Sequence, residues 1–120
     1  MCKILLLGDK MGKIKNLPED WFERKKIAAD PNTSQDTLAE LANDIDWRVR
    51  EGVARNHNTS KETLDKLSED DITYVRLGVA ANSNTSPETL DKLSKKDKAR
   101  AVRYTAMDTL REILWKQAKR

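Results

Sequence analysis

The 120-residue chain has one cysteine, Cys2, one histidine, His57, and only 5% aromatic residues. A lone cysteine cannot close an internal disulfide, so a reducing, cytoplasmic setting is expected. A lone loop histidine has no oriented partner for acid–base work, and no ligands at metal-binding spacing accompany it. No apolar run approaches the ~20 residues of a membrane span. The Ile4-Leu5-Leu6-Leu7 run is too short for a signal peptide and lacks a small-residue cleavage site. Gly8, Gly12 and Lys13 invite comparison with a phosphate-binding loop. That loop needs four residues between its glycines and Ser or Thr after the lysine, whereas here there are three and Ile14. No nucleophile, base and orienter stand together, so neither enzymatic activity nor a cofactor is expected.

What the chain does have is a phrase at a fixed interval. Asn32-Thr33-Ser34, Asn58-Thr59-Ser60 and Asn84-Thr85-Ser86 follow one another every 26 residues. A period of that size marks repeats that are each one supersecondary unit stacked on the next. Each phrase precedes two leucines three residues apart, Leu38 and Leu41, Leu64 and Leu67, Leu90 and Leu93, which share one face of a short helix. Thr59 with Glu62 and Thr85 with Glu88 fit a capping box, Thr33 with Asp36 is a weaker version, and Pro87 suits a first helical turn. Helices are therefore expected to start near Thr33, Thr59 and Thr85.

A second helix in each unit carries the columns Arg24, Arg50 and Arg76; Ile27, Val53 and Val79; and Ala28, Ala54 and Ala80. It ends at Asp30, Asn56 and Asn82, residue types that tolerate a left-handed terminus. Val102-Arg103 arrives one residue late, which places a single insertion near Lys95 to Lys98. Recurrence of Gly52 and Gly78 inside this helix implies close approach of a neighbouring backbone. Asn32, Asn58 and Asn84 read as turn formers.

The string from Asp46 to Thr59, with a second copy from Val75 to Thr85, resembles the leucine-rich repeat variant family, a HEAT-like helical repeat. The resemblance covers roughly Asp20 to Arg103. It implies an α-helix paired with a shorter, partly 3₁₀ helix in a right-handed superhelix. The family favours Pro in the loop; Pro31 conforms, while His57 and Ser83 replace it. A founding member carries a cysteine-rich iron–sulfur segment, which has no counterpart here. The expected fold is thus all-α, a right-handed α-solenoid of about three helix–turn–helix repeats with terminal caps. Residues 1–17 are expected to form a non-repeat cap, 18–108 the repeats, and 109–120 a basic capping helix. The C-terminus leaves two arrangements open, one long helix from about Asp97 or a fresh one starting at Asp108-Thr109.

Net charge is +3 but unevenly placed. Residues 31–94 hold 12 acidic and 7 basic side chains, whereas residues 95–120 hold 9 basic and 3 acidic. Two partner classes follow. A protein partner on the curved surface would meet variable positions such as Gln35, Lys61 and Pro87, or Arg48 and Tyr74. A nucleic acid would meet Lys95, Lys96, Lys98, Arg100 and Arg103 with the arginine column, although the acidic middle opposes it. The same column also reads as an internal ladder onto carbonyls or acids such as Asp46 and Asp71. Trp21 and Trp47 read first as inter-repeat packing. No membrane contact is expected, and the chain is expected to be a monomer or a homodimer.

Overall fold

The computed structural model describes residues 16–119. These form seven helices and, among the described residues, no strand: α1 (Trp21–Ala29), α2 (Gln35–Leu41), α3 (Trp47–Arg55), α4 (Lys61–Leu67), α5 (Thr73–Ala81), α6 (Pro87–Lys96) and α7 (Arg100–Ala118). The Ile4-Leu5-Leu6-Leu7 run and Gly8, Gly12 and Lys13 lie outside the described residues, as does all but the end of the 1–17 cap segment. The odd-numbered helices pack on one another in order, α1 on α3, α3 on α5 and α5 on α7. The short helices α2 and α4 each bridge two of them, and α6 lies against α7. No helix among the described residues is long and apolar enough to cross a membrane.

The leucine pairs and the valines of the long helices make the core. Leu38, Leu41, Leu64, Leu67, Leu90 and Leu93 are buried together with Val49, Val53, Val75, Val79 and Val102. Each such side chain contributes about 1.5–3 kcal/mol. An exposed pair such as Lys92–Glu69, 3.4 Å apart, contributes at most about 1 kcal/mol. Burial therefore decides the fold. Ile27 only packs against this core from its edge.

Each residue of the Asn-Thr-Ser phrase has a separate task. The serine, rather than the threonine, caps the short helix: Ser34, Ser60 and Ser86 Oγ accept from the N–H of Thr37, Thr63 and Thr89 at 3.2, 3.2 and 3.3 Å. The expected Thr–Glu boxes do not form, because the threonines face inward. Thr33, Thr59 and Thr85 Oγ1 donate to the carbonyls of Ile27, Val53 and Val79 at 2.6, 2.7 and 2.8 Å. The asparagine reaches back one unit, Asn58 Nδ2 to Thr33 O at 2.7 Å and Asn84 Nδ2 to Thr59 O at 2.6 Å. The turn formers stand two residues earlier. Asp30, Asn56 and Asn82 accept from the N–H of Asn32, Asn58 and Asn84, each at 2.8 Å. Their backbone is extended, with φ of −74°, −78° and −88°, so no left-handed cap terminates the long helices.

The two central glycines lie where neighbouring helices touch. A Cβ on Gly52 would come 3.0 Å from Ala28 Cβ, and one on Gly78 would come 2.9 Å from Ala54 Cβ. The close neighbour is thus an alanine side chain, not a backbone. All short helices are α-helical. The single insertion is absorbed by α6, whose 10 residues exceed the 7 of α2 and α4. At the C-terminus one continuous helix is present, without a break at Asp108-Thr109.

Candidate functional site

The arginine column is consumed internally. Arg24 Nε donates to Asp44 at 2.7 Å, Arg50 Nε to Asp70 at 2.7 Å and Arg76 Nε to Asp97 at 2.8 Å. The second carboxylate oxygen accepts from Nη2 in each case. The remaining arm donates to a carbonyl six residues back, that of Pro18, Asp44 or Asp70. The same aspartates accept from the N–H of Asp46, Ile72 and Ala99, which fixes the loop entering the next long helix. The acids are therefore Asp44, Asp70 and Asp97, not Asp46 and Asp71; of the latter, Asp71 offers Arg76 only its carbonyl, at 3.2 Å. Hydrogen bonding to Asp44 and Asp70 pushes the Arg24 and Arg50 guanidiniums further toward the charged form. With both prongs occupied, these arginines have no fork left for a phosphate.

The basic residues near the C-terminus do not form one patch. Lys95 pairs with Asp91 at 3.2 Å, and Arg103 donates to the carbonyl of Asp97 at 2.7 Å. Lys96 and Lys98 line a recess of about 310 Å³, but Glu69, Asp70, Asp71 and Asp97 line it too. Arg100 is exposed at the first turn of α7. His57 is exposed in a shallow recess beside Pro31, Arg55 and Asn58. Among the described residues no cluster of His, Cys, Asp and Glu has the makings of a metal site.

A different surface gathers chemistry at the first turns of α1, α3 and α5. Asp20 caps α1, accepting from Phe22 N–H at 3.2 Å, and Asp46 caps α3, accepting from Arg48 N–H at 2.9 Å. These caps set the first two residues of each helix at the open edge of the stack. Trp21 meets Phe22 edge-on, with centroids 5.8 Å apart and planes at 83°. The Arg48 guanidinium lies 3.5 Å from the centroid of Trp21. Next along, Trp47 stacks on Tyr74 at 5.5 Å and 24°. The ridge therefore runs Phe22, Trp21, Arg48, Trp47, Tyr74 across three helices.

Arg48 is held in place from behind. Its Nε and Nη2 donate to the Asp46 carboxylate at 3.0 and 2.7 Å. That hydrogen bonding, with the Arg48 backbone N–H in support, holds the Asp46 carboxyl down at about 2. The guanidinium is thus held over one ring while it remains hydrogen-bonded to Asp46. Arg48 and Tyr74 are both sequence candidates, and the structure joins each to a tryptophan of the preceding unit. Trp21 and Trp47 pack against the core edge, as expected, and contribute to the ridge as well. Phe22, 50% exposed, is the residue sequence reasoning misses. The signal is present, because Phe22, Arg48 and Tyr74 form one 26-residue column. Comparison with protein-family models, with curated proteins and with solved structures returns no match.

Proposed function

We propose that this chain is a non-enzymatic protein-interaction module, an adaptor or inhibitor working in the cytoplasm. In this reading it is a short right-handed α-solenoid of the leucine-rich repeat variant kind, and a protein partner docks across the first turns of its long helices. One observation carries the reading, the ridge of Phe22, Trp21, Arg48, Trp47 and Tyr74. Trp, Tyr and Arg are enriched among the residues that dominate protein–protein contacts: Trp and Tyr bury a large area at little rotamer cost, and Arg adds a charged hydrogen-bonding fork. Here stacking has already restricted those rotamers, which lowers the entropy lost on binding. Nucleic-acid binding through Lys95, Lys96, Lys98, Arg100 and Arg103 is the weaker reading, since acids are interleaved with those cations.

The test is affinity capture from source-cell lysate with and without nuclease. The baits are wild type, an R48A/Y74A variant, and a K95E/K96E/K98E variant. Tyr74 is exposed and Arg48 half-buried, and neither belongs to the core, so truncating them does not open it. A defined partner that survives nuclease, is lost with R48A/Y74A and persists with the lysine variant supports the ridge. Retention on R48A/Y74A sinks it, and loss on nuclease or with the lysine variant transfers the function to the basic end.

A further inference from the structure

We propose that α7 is a self-association helix along which two copies of the chain pair antiparallel. α7 has 19 residues where the other long helices have 9. One face of it, Val102 and Ala106 with Leu110 and Ile113, packs on the core. A second stripe points away. Tyr104, Asp108, Arg111 and Trp115 recur at i, i+4, i+7 and i+11 and so share a narrow sector of the helix. All four are exposed, Tyr104 at 58% and Trp115 at 60%. Single exposed aromatics are ordinary. These two, however, bracket a carboxylate and a guanidinium, neither of which has an ion-pair partner among the described residues.

The order along the stripe is aromatic, acid, base, aromatic. Reversed, it is its own complement. An antiparallel second copy sets Asp108 against the other copy's Arg111, Arg111 against the other's Asp108, and Tyr104 against Trp115 at both ends. This reciprocity, in which one residue meets a second and the second meets the first, is what a two-fold interface requires. A parallel pairing in register would oppose Asp108 to Asp108 and Arg111 to Arg111, and like charges in contact disfavour it. Leu114, 50% exposed and next to Trp115, would be covered by the same contact. A helix of 19 residues runs about 28 Å. The contact therefore belongs with small interfaces, below about 1,200 Å², and a micromolar dissociation constant is expected.

The test is sedimentation equilibrium of the full chain across the micromolar range, with circular dichroism to check the fold. Wild type should shift from monomer toward dimer. D108R and R111D, each at an exposed site, should each weaken association about tenfold or more by creating like-charge contacts. The combined D108R/R111D variant restores opposite charges across the two-fold and should recover association. A wild type that stays monomeric overturns the proposal. So do single variants without effect, or a combined variant no better than its parents.

Discussion

Replacing Asn82 by alanine should destabilise the fold by about 4 kcal/mol, a large effect for a side chain with no hydrophobic surface. Asn82 is 2% exposed and bridges two units. Its Nδ2 donates to Ala54 O at 2.8 Å and to Asn56 O at 3.0 Å, and its Oδ1 accepts from Asn84 N–H at 2.8 Å. After truncation Asn56 O retains the N–H of Thr59, 3.1 Å away. Ala54 O and Asn84 N–H keep nothing. The helical partner of Ala54 O, the N–H of Asn58, is committed to Asn56 Oδ1. Two orphaned groups at about 1–3 kcal/mol each give about 2–6 kcal/mol, centred near the stated value.

The column supplies its own control. Its first member is Asp30, whose carboxylate accepts from Asn32 N–H at 2.8 Å. Among the described residues no unit precedes it with carbonyls awaiting a donor, so an acceptor-only side chain suffices there. Asp30→Ala should therefore cost only about 0.5–1.5 kcal/mol. Asn82→Asp provides a signed test. It sets a carboxylate oxygen against two carbonyls, so its folded pKa is raised above the unfolded value. Its deficit is then full at neutral pH and shrinks as pH falls through that raised pKa, where the acid can donate. Urea unfolding followed by far-ultraviolet circular dichroism and tryptophan fluorescence measures all three variants. Equal midpoint losses for Asn82→Ala and Asp30→Ala would refute the bridging argument.

Three further outcomes are expected. Gly78→Ala brings a methyl to 2.9 Å from Ala54 Cβ and 3.2 Å from Arg55 Cγ; overpacking should outweigh the helix-propensity gain and destabilise by about 1–2 kcal/mol in thermal unfolding. Gly52→Ala, 3.0 Å from Ala28 Cβ, should cost less, because among the described residues α1 packs on one long helix only, α3, and can shift. Arg76→Lys replaces a buried fork that spans Asp97 and the carbonyls of Asp70 and Asp71. It should cost about 2–4 kcal/mol in urea, against well under 1 kcal/mol for Arg103→Lys, whose guanidinium has a single carbonyl contact. The Asp46 carboxyl, lowered from 3.8 to about 2 chiefly by its hydrogen bonds from Arg48, contributes stability that is fully present above the unfolded value and lost as pH falls through the folded one. A carboxyl-carbon titration by nuclear magnetic resonance should therefore put Asp46 well below the ordinary range and Arg48→Ala should move it back; a normal midpoint in wild type would contradict the capping geometry.

Much of the architecture is legible because stacked units impose the same contact at the same column. The leucine pairs, the valine rows, the two glycines and the insertion before Val102 all follow from the 26-residue period. What escapes is the choice between chemically equivalent neighbours. Thr33 and Ser34 are both able to cap a helix. The threonine is drawn inward because its methyl suits the core and its hydroxyl can reach Ile27 O, which leaves the cap to serine. The acids that meet the arginines yield to a stricter use of the columns. Asp44 and Asp70 share one, and Asp97 joins it once the insertion is counted, whereas Asp46 and Asp71 align with Ile72 and Ile45. The ridge is only half legible, because a column read down one position cannot reveal that its members stack on the preceding unit's tryptophan.

The same columns explain where the stack stops. Val49 and Val75 are buried in α3 and α5, and Gly52 and Gly78 meet an alanine of the helix before. In α1 the corresponding residues are Glu23 and Lys26. They pair with each other at 3.1 Å, and Lys26 Nζ lies 5.0 Å from the centroid of Phe22. A long helix seated before α1 would strip water from this pair and drive its alanine into a lysine where only glycine leaves room. The outer face of α1 is thus finished with charge, as terminal repeats require. On α7 the stripe that faces away from the core keeps two aromatics and two unpaired opposite charges. Among the described residues the stack is thus finished with charge at α1, which disfavours repeated end-to-end stacking, whereas the two-fold pairing proposed for α7 makes no demand on α1.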